Sequence, residues 1–277
     1  MRGDDETWRS CATCGVENDT DQHTCAICAD ERQYVPRDGQ RWTTLGERAA
    51  EGCSVEVTQV EPDCFALHAT PRVDIGQRAM LVRTPGGNLL WEVPGYLDDA
   101  AREKVAGLGG VAAVMASHPH MYGCQLEWAR AFGAPVYVSE ADRGWVRRRG
   151  EDGEIVSWSE PFEVLPGIRT CQPGGHFPGS AVAVWDAGAG GRGVLLAGDT
   201  CKAVPDPGWV TFMRSFPNLI PLSAAVVTRV ADSIAALTFD RLYDNFGEQV
   251  PVGARDVVLR SARRYAEWVR GDHDDLT

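Results

Sequence analysis

Two histidines separated by a single residue, His118 and His120, are a pair of side chains whose type and spacing suit metal chemistry. They follow residues 111–117, whose small and apolar side chains predict a buried strand. On an extended segment residues i and i+2 point to the same face, so both imidazoles would converge just past the strand. Neutral imidazole is the commonest protein ligand for zinc and similar ions. The alternative is a turn at Pro119 that leaves both histidines partly exposed.

A third histidine and a carboxylate occupy comparable positions later in the chain. His176 lies in the glycine- and proline-rich segment 174–180, a composition that lets the backbone approach a ligand closely. Asp199 comes just after residues 193–197, which are predicted to form a strand. The two side chains therefore join the histidine pair as candidate residues at the ends of strands.

Two Cys-x-x-Cys pairs near the start of the chain predict a second metal site. Ten residues separate the two pairs, and the four residues are Cys11, Cys14, Cys25 and Cys28. Four thiolates at this spacing typically surround a structural zinc ion, which would supply most of the folding free energy of so short a segment. With Trp8 and Asn18, the segment resembles the small zinc fingers of the Ran-binding type. Its Cys-x-x-Cys-Gly knuckle equally resembles rubredoxin, in which four sulfurs hold a redox iron.

Composition limits the class of protein. The chain has 277 residues, of which 44% are hydrophobic, enough for one large domain and a small module. Its net charge of −12 argues against nucleic acid or anionic membrane as the main partner. No apolar run is long enough for a transmembrane helix, and the polar, acidic start does not resemble a signal peptide. Nine cysteines, an odd number, favour a reduced, cytoplasmic protein, and we expect its partner to be a small-molecule substrate.

The elements that position these residues are predicted from hydrophobic periodicity. Residues 1–50 are expected to form the four-cysteine module, with residues 31–50 as its linker, and residues 51–277 to form the main domain. There, strand-like runs alternate with helical patterns, which predicts an α/β layer architecture. Among the predicted elements are a hairpin over 79–91 and helices over 98–106, over 125–132, through the arginine-rich stretch 147–149, and over 254–270. We expect the three arginines of that stretch to form a solvated face.

Three motifs in a fixed order resemble the metallo-β-lactamase superfamily across roughly residues 55–270. They are Ser117-His118-Pro119-His120, Gly175-His176-Phe177-Pro178-Gly179-Ser180 and Leu196-Ala197-Gly198-Asp199-Thr200. The resemblance implies an α+β fold, the αββα sandwich, in which two mixed sheets lie face to face with helices outside and metal at one edge. It also implies that the three histidines resemble the ligands of the first metal and Asp199 the carboxylate that bridges two metals.

The chain departs from the family pattern at both ends of the site. The family's first motif is His-x-His-x-Asp-His, but here Tyr122 and Gly123 occupy its last two positions. The usual late histidine is also missing, and the corresponding region is residues 243–247. We therefore expect one metal ion rather than two in the main domain. Tyr122 and Tyr243 are candidate replacement ligands or proton donors, and Asp244 is a weaker candidate.

The chemistry predicted from this donor set is hydrolysis. Three imidazoles with an open position suit zinc, which lowers the pKa of bound water toward ~7. Asp199 would then be a fourth ligand or the base that orients this water, and the substrate an ester, thioester or lactone. One alternative places mononuclear non-haem iron on His118, His176 and Asp199, as in sulfur-oxidising members of the superfamily. Another is a binding protein whose degenerate site has lost catalysis.

Overall fold

The computed structural model describes residues 7–277, which form two compact units that divide after Ser159. Each unit is built around one large β-sheet. Residues 1–6 of the module predicted over 1–50 lie outside the described range. In the part of the chain that the structure describes, no helix has both the length and the apolar character to cross a membrane. The division into a module over 1–50 and a main domain over 51–277 stays a prediction.

The first unit begins with a small antiparallel sheet that carries the four-cysteine segment. Its elements are β1 (Trp8–Cys11), β2 (Glu17–Asp19), α1 (Ala26–Ala29), β3 (Trp42–Thr43) and α2 (Leu45–Ala50), with the strands in the order β2-β1-β3. Residues 31–50, predicted to be a linker, thus contain a strand and a helix. Thr44 caps α2 because its side chain accepts from the Glu47 N–H at 3.1 Å while the Glu47 carboxylate accepts from the Thr44 N–H.

A seven-stranded mixed sheet forms the rest of the first unit. Its strands are β4 (Ser54–Glu61), β5 (Cys64–Thr70), β6 (Ala79–Thr84), β7 (Gly87–Trp91), β8 (Ala113–Met115), β9 (Val136–Ser139) and β10 (Ile155–Trp158). They lie in the order β10-β9-β8-β7-β6-β5-β4, antiparallel from β4 to β7 and parallel from β7 to β10. The predicted hairpin is confirmed as β6 and β7. The predicted strand 111–117 is shorter than expected and places β8 near the middle of the sheet, where all three of its residues are buried.

Two α-helices connect the parallel strands of this sheet, and one predicted helix is absent. They are α3 (Asp99–Gly107) and α4 (Gln125–Phe132), close to the predicted bounds. Asp98 caps α3 by accepting from the Ala101 N–H at 2.7 Å. The helix predicted through residues 147–149 is wrong, because the helical turn there is a 3-10 helix over Glu140–Trp145 and the arginines follow it in extended or bent backbone.

The second unit is built on a six-stranded sheet with two long helices. Its main strands are β11 (Phe162–Leu165), β12 (Ile168–Cys171), β13 (Val182–Trp185), β14 (Val194–Leu196), β19 (Arg241–Tyr243) and β20 (Gln249–Val250), paired in that order. Only β14 and β19 are parallel. Between them in sequence lie β15 (Lys202–Ala203), β16 (Val210–Thr211), β17 (Met213–Ser215) and β18 (Ile220–Pro221), which form two small hairpins.

The helices of the second unit close its hydrophobic core. They are a helical turn α5 (Gly188–Gly191), α6 (Ala224–Ala235) and α7 (Ala254–Arg270), the last with the predicted bounds. Val230 and Ile234 of α6 pack with Val258 of α7 and Phe212 in one buried cluster. A 3-10 helix (Asp274–Leu276) ends the chain.

Candidate metal centres

Buried backbone contacts hold the histidine pair at the end of β8. Glu92, a fully buried residue with a positive φ of 62°, donates its N–H to the Met115 carbonyl at 2.9 Å. Its carboxylate in turn accepts from the Ser117 N–H at 3.0 Å. Because this carboxylate satisfies the backbone just beyond the strand, the chain reaches His118 in a fixed extended conformation (φ −166°, ψ 171°).

The two histidines converge for a reason other than the one predicted. His118 is extended, but Pro119–Met121 form a 3-10 helix, so the argument from a single extended face is wrong. The two rings nevertheless lie with centroids 5.0 Å apart and planes at 73°, and the side chains are buried. The alternative of two partly exposed histidines at a turn is also wrong.

The Nδ1 atoms of both histidines have neighbours of the kind that orients a metal ligand. The Ser117 Oγ lies 2.8 Å from His118 Nδ1, and the side-chain Nε2 of Gln33 lies 3.5 Å from His120 Nδ1. A histidine that binds a metal through one ring nitrogen usually donates the N–H of the other to such a partner. With Ser117 Oγ and, after a half-turn of its amide, Gln33 Oε1 as acceptors, Nε2 of each ring would be the ligand atom.

His176 lies in the second unit, and a hydrogen bond from its Nδ1 fixes the tautomer of the neutral ring. Positive φ angles at Gly174 (69°) and Gly175 (96°) bend the preceding backbone, and Ser180 closes the loop by accepting from the Phe177 N–H at 2.8 Å. The Met213 carbonyl lies 3.0 Å from His176 Nδ1. A carbonyl oxygen only accepts hydrogen bonds, so Nδ1 carries the proton and Nε2 carries the lone pair that a metal requires.

Asp199 lies beyond β14, where the predicted strand-end position is confirmed. Its Oδ2 is 3.9 Å from His176 Nε2, and its Oδ1 accepts from the Asn245 side chain at 3.4 Å. Burial raises the pKa of Asp199 to about 7, with Lys202 opposing the shift and Asp244 adding to it. A buried carboxylate beside an imidazole lone pair is an environment that a bound cation would stabilise.

The four candidate donor side chains form one group. The ligand atoms of His118, His120, His176 and Asp199 all lie within 4.8 Å of one another, and all four side chains are buried. Three imidazole nitrogens and one carboxylate oxygen are the donors that zinc and non-haem iron take in proteins, so these residues fit a metal ion.

The four cysteines form a second group with the spacing of a metal site. The Cys11 and Cys28 sulfurs are 3.6 Å apart, as are the Cys14 and Cys25 sulfurs. Sulfurs at the corners of a tetrahedral zinc site are about 3.8 Å apart, given a Zn–S bond of about 2.3 Å. Hydrogen bonds from the other three thiols lower the pKa of Cys11, and the Gln40 amide also donates to its sulfur at 3.2 Å.

The chain is 42% identical to the "Uncharacterized protein YmaE" of Bacillus subtilis (strain 168) over 267 residues, which cover 95% of this chain and 97% of that protein. It belongs to the YmaE family. No protein-family model matches the chain.

Solved structures show the fold of this YmaE-family chain. The DIM-1 metallo-β-lactamase matches 76% of the chain and 98% of its own length with a TM-score of 0.57 at 12% identity. TMB-1 matches the same shares with a TM-score of 0.56, also at 12% identity. A B3 metallo-β-lactamase described as the first with an active-site glutamic acid covers 82% of the chain and 95% of its own length, with a TM-score of 0.53 at 18% identity. The predicted metallo-β-lactamase fold is confirmed.

Packing explains why residues 122 and 123 of this YmaE-family chain differ from the first motif of the metallo-β-lactamase superfamily. Gly123 has a φ of 50°, and a Cβ there would collide with the backbone carbonyls of Val93 and Pro94. The Tyr122 hydroxyl donates to the Asp142 carbonyl at 3.4 Å, and burial raises its pKa well above the usual value. A histidine therefore does not fit at position 123. The hydrogen bond from the Tyr122 hydroxyl to a backbone carbonyl favours a structural role for the Tyr122 side chain.

The region of the missing late histidine carries an amide and a carboxylate. Tyr243 ends β19, where it pairs with Leu196, and its carbonyl accepts from the Ala197 N–H at 2.9 Å. The Oδ1 of Asp244 accepts hydrogen bonds from the backbone N–H groups of residues 246 and 248. The side-chain amide of the neighbouring Asn245 donates to Asp199. The roles predicted for Tyr122, Tyr243 and Asp244 stay predictions.

Sequence reasoning missed four residues that support the site. They are Gln33, Glu92, Met213 and Asn245. Asn245 was detectable because it falls in the segment that corresponds to the late histidine. The other three are distant in sequence from the ligands they support, and Met213 acts through its backbone, so no side-chain pattern marks them.

Proposed function

We propose that this protein is a metal-dependent hydrolase that uses a single zinc ion to cleave an ester, thioester or lactone. The observation that carries the proposal is the group of His118, His120, His176 and Asp199, in which the Nδ1–H of His176 donates to the Met213 carbonyl. The metallo-β-lactamase fold supports it, because the solved proteins that share the fold are named as β-lactamases.

The three histidines would hold the ion, and Asp199 would accept a proton from the attacking water. When bound, zinc supplies water acidified toward a pKa of ~7 and polarises a carbonyl oxygen. The hydrogen bond from Asn245 to one carboxylate oxygen orients the Asp199 side chain, and its other oxygen faces His176. Burial of all four side chains excludes bulk water and strengthens their electrostatic interactions.

Asp199→Asn tests the proposal because it keeps the shape and removes the negative charge. Purified full-length protein with measured zinc content is assayed on an aryl ester, an acyl thioester and a lactone. The parent should hydrolyse at least one of them, with a rate that rises with pH through ~7 and then levels off. Asp199→Asn should lose about 100-fold or more in kcat while it retains zinc.

Two further variants make this result specific. His68→Ala is the matched control, since His68 is half-exposed beside Glu56 and lies outside the donor set. It should leave activity unchanged, whereas His120→Ala should abolish zinc hydrolysis. Oxygen-consuming activity that survives His120→Ala would instead support iron on His118, His176 and Asp199. Metal-loaded parent protein that hydrolyses none of the three substrates would support the degenerate binding protein.

A further inference from the structure

The segment that follows the four-cysteine site reaches a ligand of the proposed hydrolase metal. Gln33 lies five residues after Cys28, is 7% exposed, and places its side-chain Nε2 3.5 Å from His120 Nδ1. His120 is 1% exposed, so the contact is buried on both sides. A side chain of the cysteine segment thus contacts a predicted metal ligand 87 positions away in sequence.

A tight local structure fixes the backbone of Gln33. The Gln33 N–H donates to the Asp30 carbonyl at 2.9 Å, one residue beyond the end of α1. Asp30 also accepts from the Arg32 N–H at 3.0 Å and pairs with its guanidinium at 2.7 Å. Because α1 contains Cys28, the position of Gln33 depends on the geometry of the cysteine site.

The chemistry of imidazole determines how the amide must face the ring when metal is bound. A neutral histidine that binds through Nε2 carries its proton on Nδ1, so the partner of Nδ1 must accept a hydrogen bond. The glutamine amide meets this need with Oε1, after a half-turn that exchanges its oxygen and nitrogen. In that orientation Gln33 fixes both the tautomer and the ring plane of His120.

We propose that Gln33 is a positioning residue for the metal ligand His120, and that through it the loaded four-cysteine site strengthens metal binding at the histidine–aspartate site. The inference rests on the proposed function in so far as that site binds a metal. The coupling is reciprocal, because two sites that influence each other share a single interaction free energy.

The test measures metal affinity rather than turnover. Co²⁺ or Zn²⁺ is titrated into full-length protein against a competing chelator, with the cysteine site loaded, and the Kd of the histidine–aspartate site is determined. Gln33→Ala removes the acceptor, Gln33→Met replaces it with an apolar side chain of similar size, and Gln33→Glu keeps an acceptor. Gln59→Ala is the matched control, because Gln59 is exposed and its amide contacts only the Pro62 carbonyl among the hydrogen bonds described.

Loss of the acceptor should weaken the Kd by about 10- to 100-fold in both Gln33→Ala and Gln33→Met. Gln33→Glu should bind at least as tightly as the parent, and Gln59→Ala should not change. The cobalt absorption spectrum should shift in the two acceptor-less variants, which a purely structural role elsewhere would not produce. A Kd for Gln33→Met within twofold of the parent would overturn the inference, and a parent without metal at this site would instead overturn the proposed function.

A double-mutant comparison tests the coupling to the cysteines. Cys25→Ser should weaken metal binding at the histidine–aspartate site by a factor similar to that of Gln33→Ala. Combining the two changes should cost little more than either alone, because both act through one contact. Full additivity of the two effects would show that the cysteine site does not act through Gln33.

Discussion

Glu17 and Arg148 form a buried ion pair at 2.8 Å, and their side chains are only 2% and 4% exposed. The other carboxylate oxygen of Glu17 accepts from the Leu126 N–H at 2.9 Å, and the Glu17 N–H donates to the Gly123 carbonyl at 3.0 Å. The strand β2 of the cysteine segment is therefore bonded to the backbone that directly follows the His118–His120 loop. The sequence-based expectation of a solvated arginine face is wrong for Arg148.

Arg148→Ala should destabilise the first unit strongly, because it leaves the Glu17 carboxylate buried without its cation. We expect a loss of about 3–5 kcal/mol in the free energy of unfolding, measured by urea denaturation at pH 7 to 8. Burial raises the pKa of Glu17 to about 7 even with Arg148 opposing it, so the carboxyl binds a proton more tightly in the folded state than in the unfolded one. Protonation removes the unpaired charge of Glu17, so the free energy of unfolding of Arg148→Ala should approach that of the parent as the pH falls below 7.

The neighbouring Arg149→Ala is the control for this prediction. Arg149 pairs with Asp19 at 2.6 Å, but its side chain is 81% exposed and the pair is screened by water, so we expect a much smaller change in the free energy of unfolding than in Arg148→Ala. Equal losses in the two variants would contradict a dominant role for the buried pair.

Gly123→Ala tests why position 123 does not carry the second-metal histidine of the metallo-β-lactamase superfamily. Its φ of 50° and the carbonyls of Val93 and Pro94 leave no place for a Cβ. We therefore expect the free energy of unfolding to fall by at least about 2 kcal/mol. Gly133→Ala has a similar φ of 66° but nothing within 4 Å of its Cβ, and should lose about 1 kcal/mol. Thermal or urea unfolding measures both, and equal losses would show that the close carbonyls are not what excludes a side chain.

Cys25→Ser should remove one metal equivalent and make residues 1–50 sensitive to protease. The physical reason is that three thiolates bind zinc less tightly than four, and the segment has little core of its own. Cys64→Ser is the control, since Cys64 is buried in β5 outside the four-cysteine group. Metal content by elemental analysis checks the prediction, and a red parent protein with iron absorption would indicate the rubredoxin-like alternative. Unchanged metal content in Cys25→Ser would refute the site.

The sequence predicted the fold and the donor set because both depend on local patterns. Periodicity located β6, β7 and α7, and ordered motifs located His118, His176 and Asp199. What it could not supply depends on contacts between distant residues. A 3-10 helix follows His118 in place of the expected extended backbone. Arg148 is buried because it forms an ion pair with Glu17, which lies 131 positions away in sequence.

Metal stoichiometry tests the central claim most directly. We predict two equivalents in the parent, one at the four-cysteine site and one at the histidine–aspartate site. His176→Ala should retain one equivalent, His68→Ala two, and Cys25→Ser combined with His176→Ala none. Elemental analysis of protein purified without added metal provides the count. Three equivalents in the parent, or two retained in His176→Ala, would contradict a single metal ion at the histidine–aspartate site.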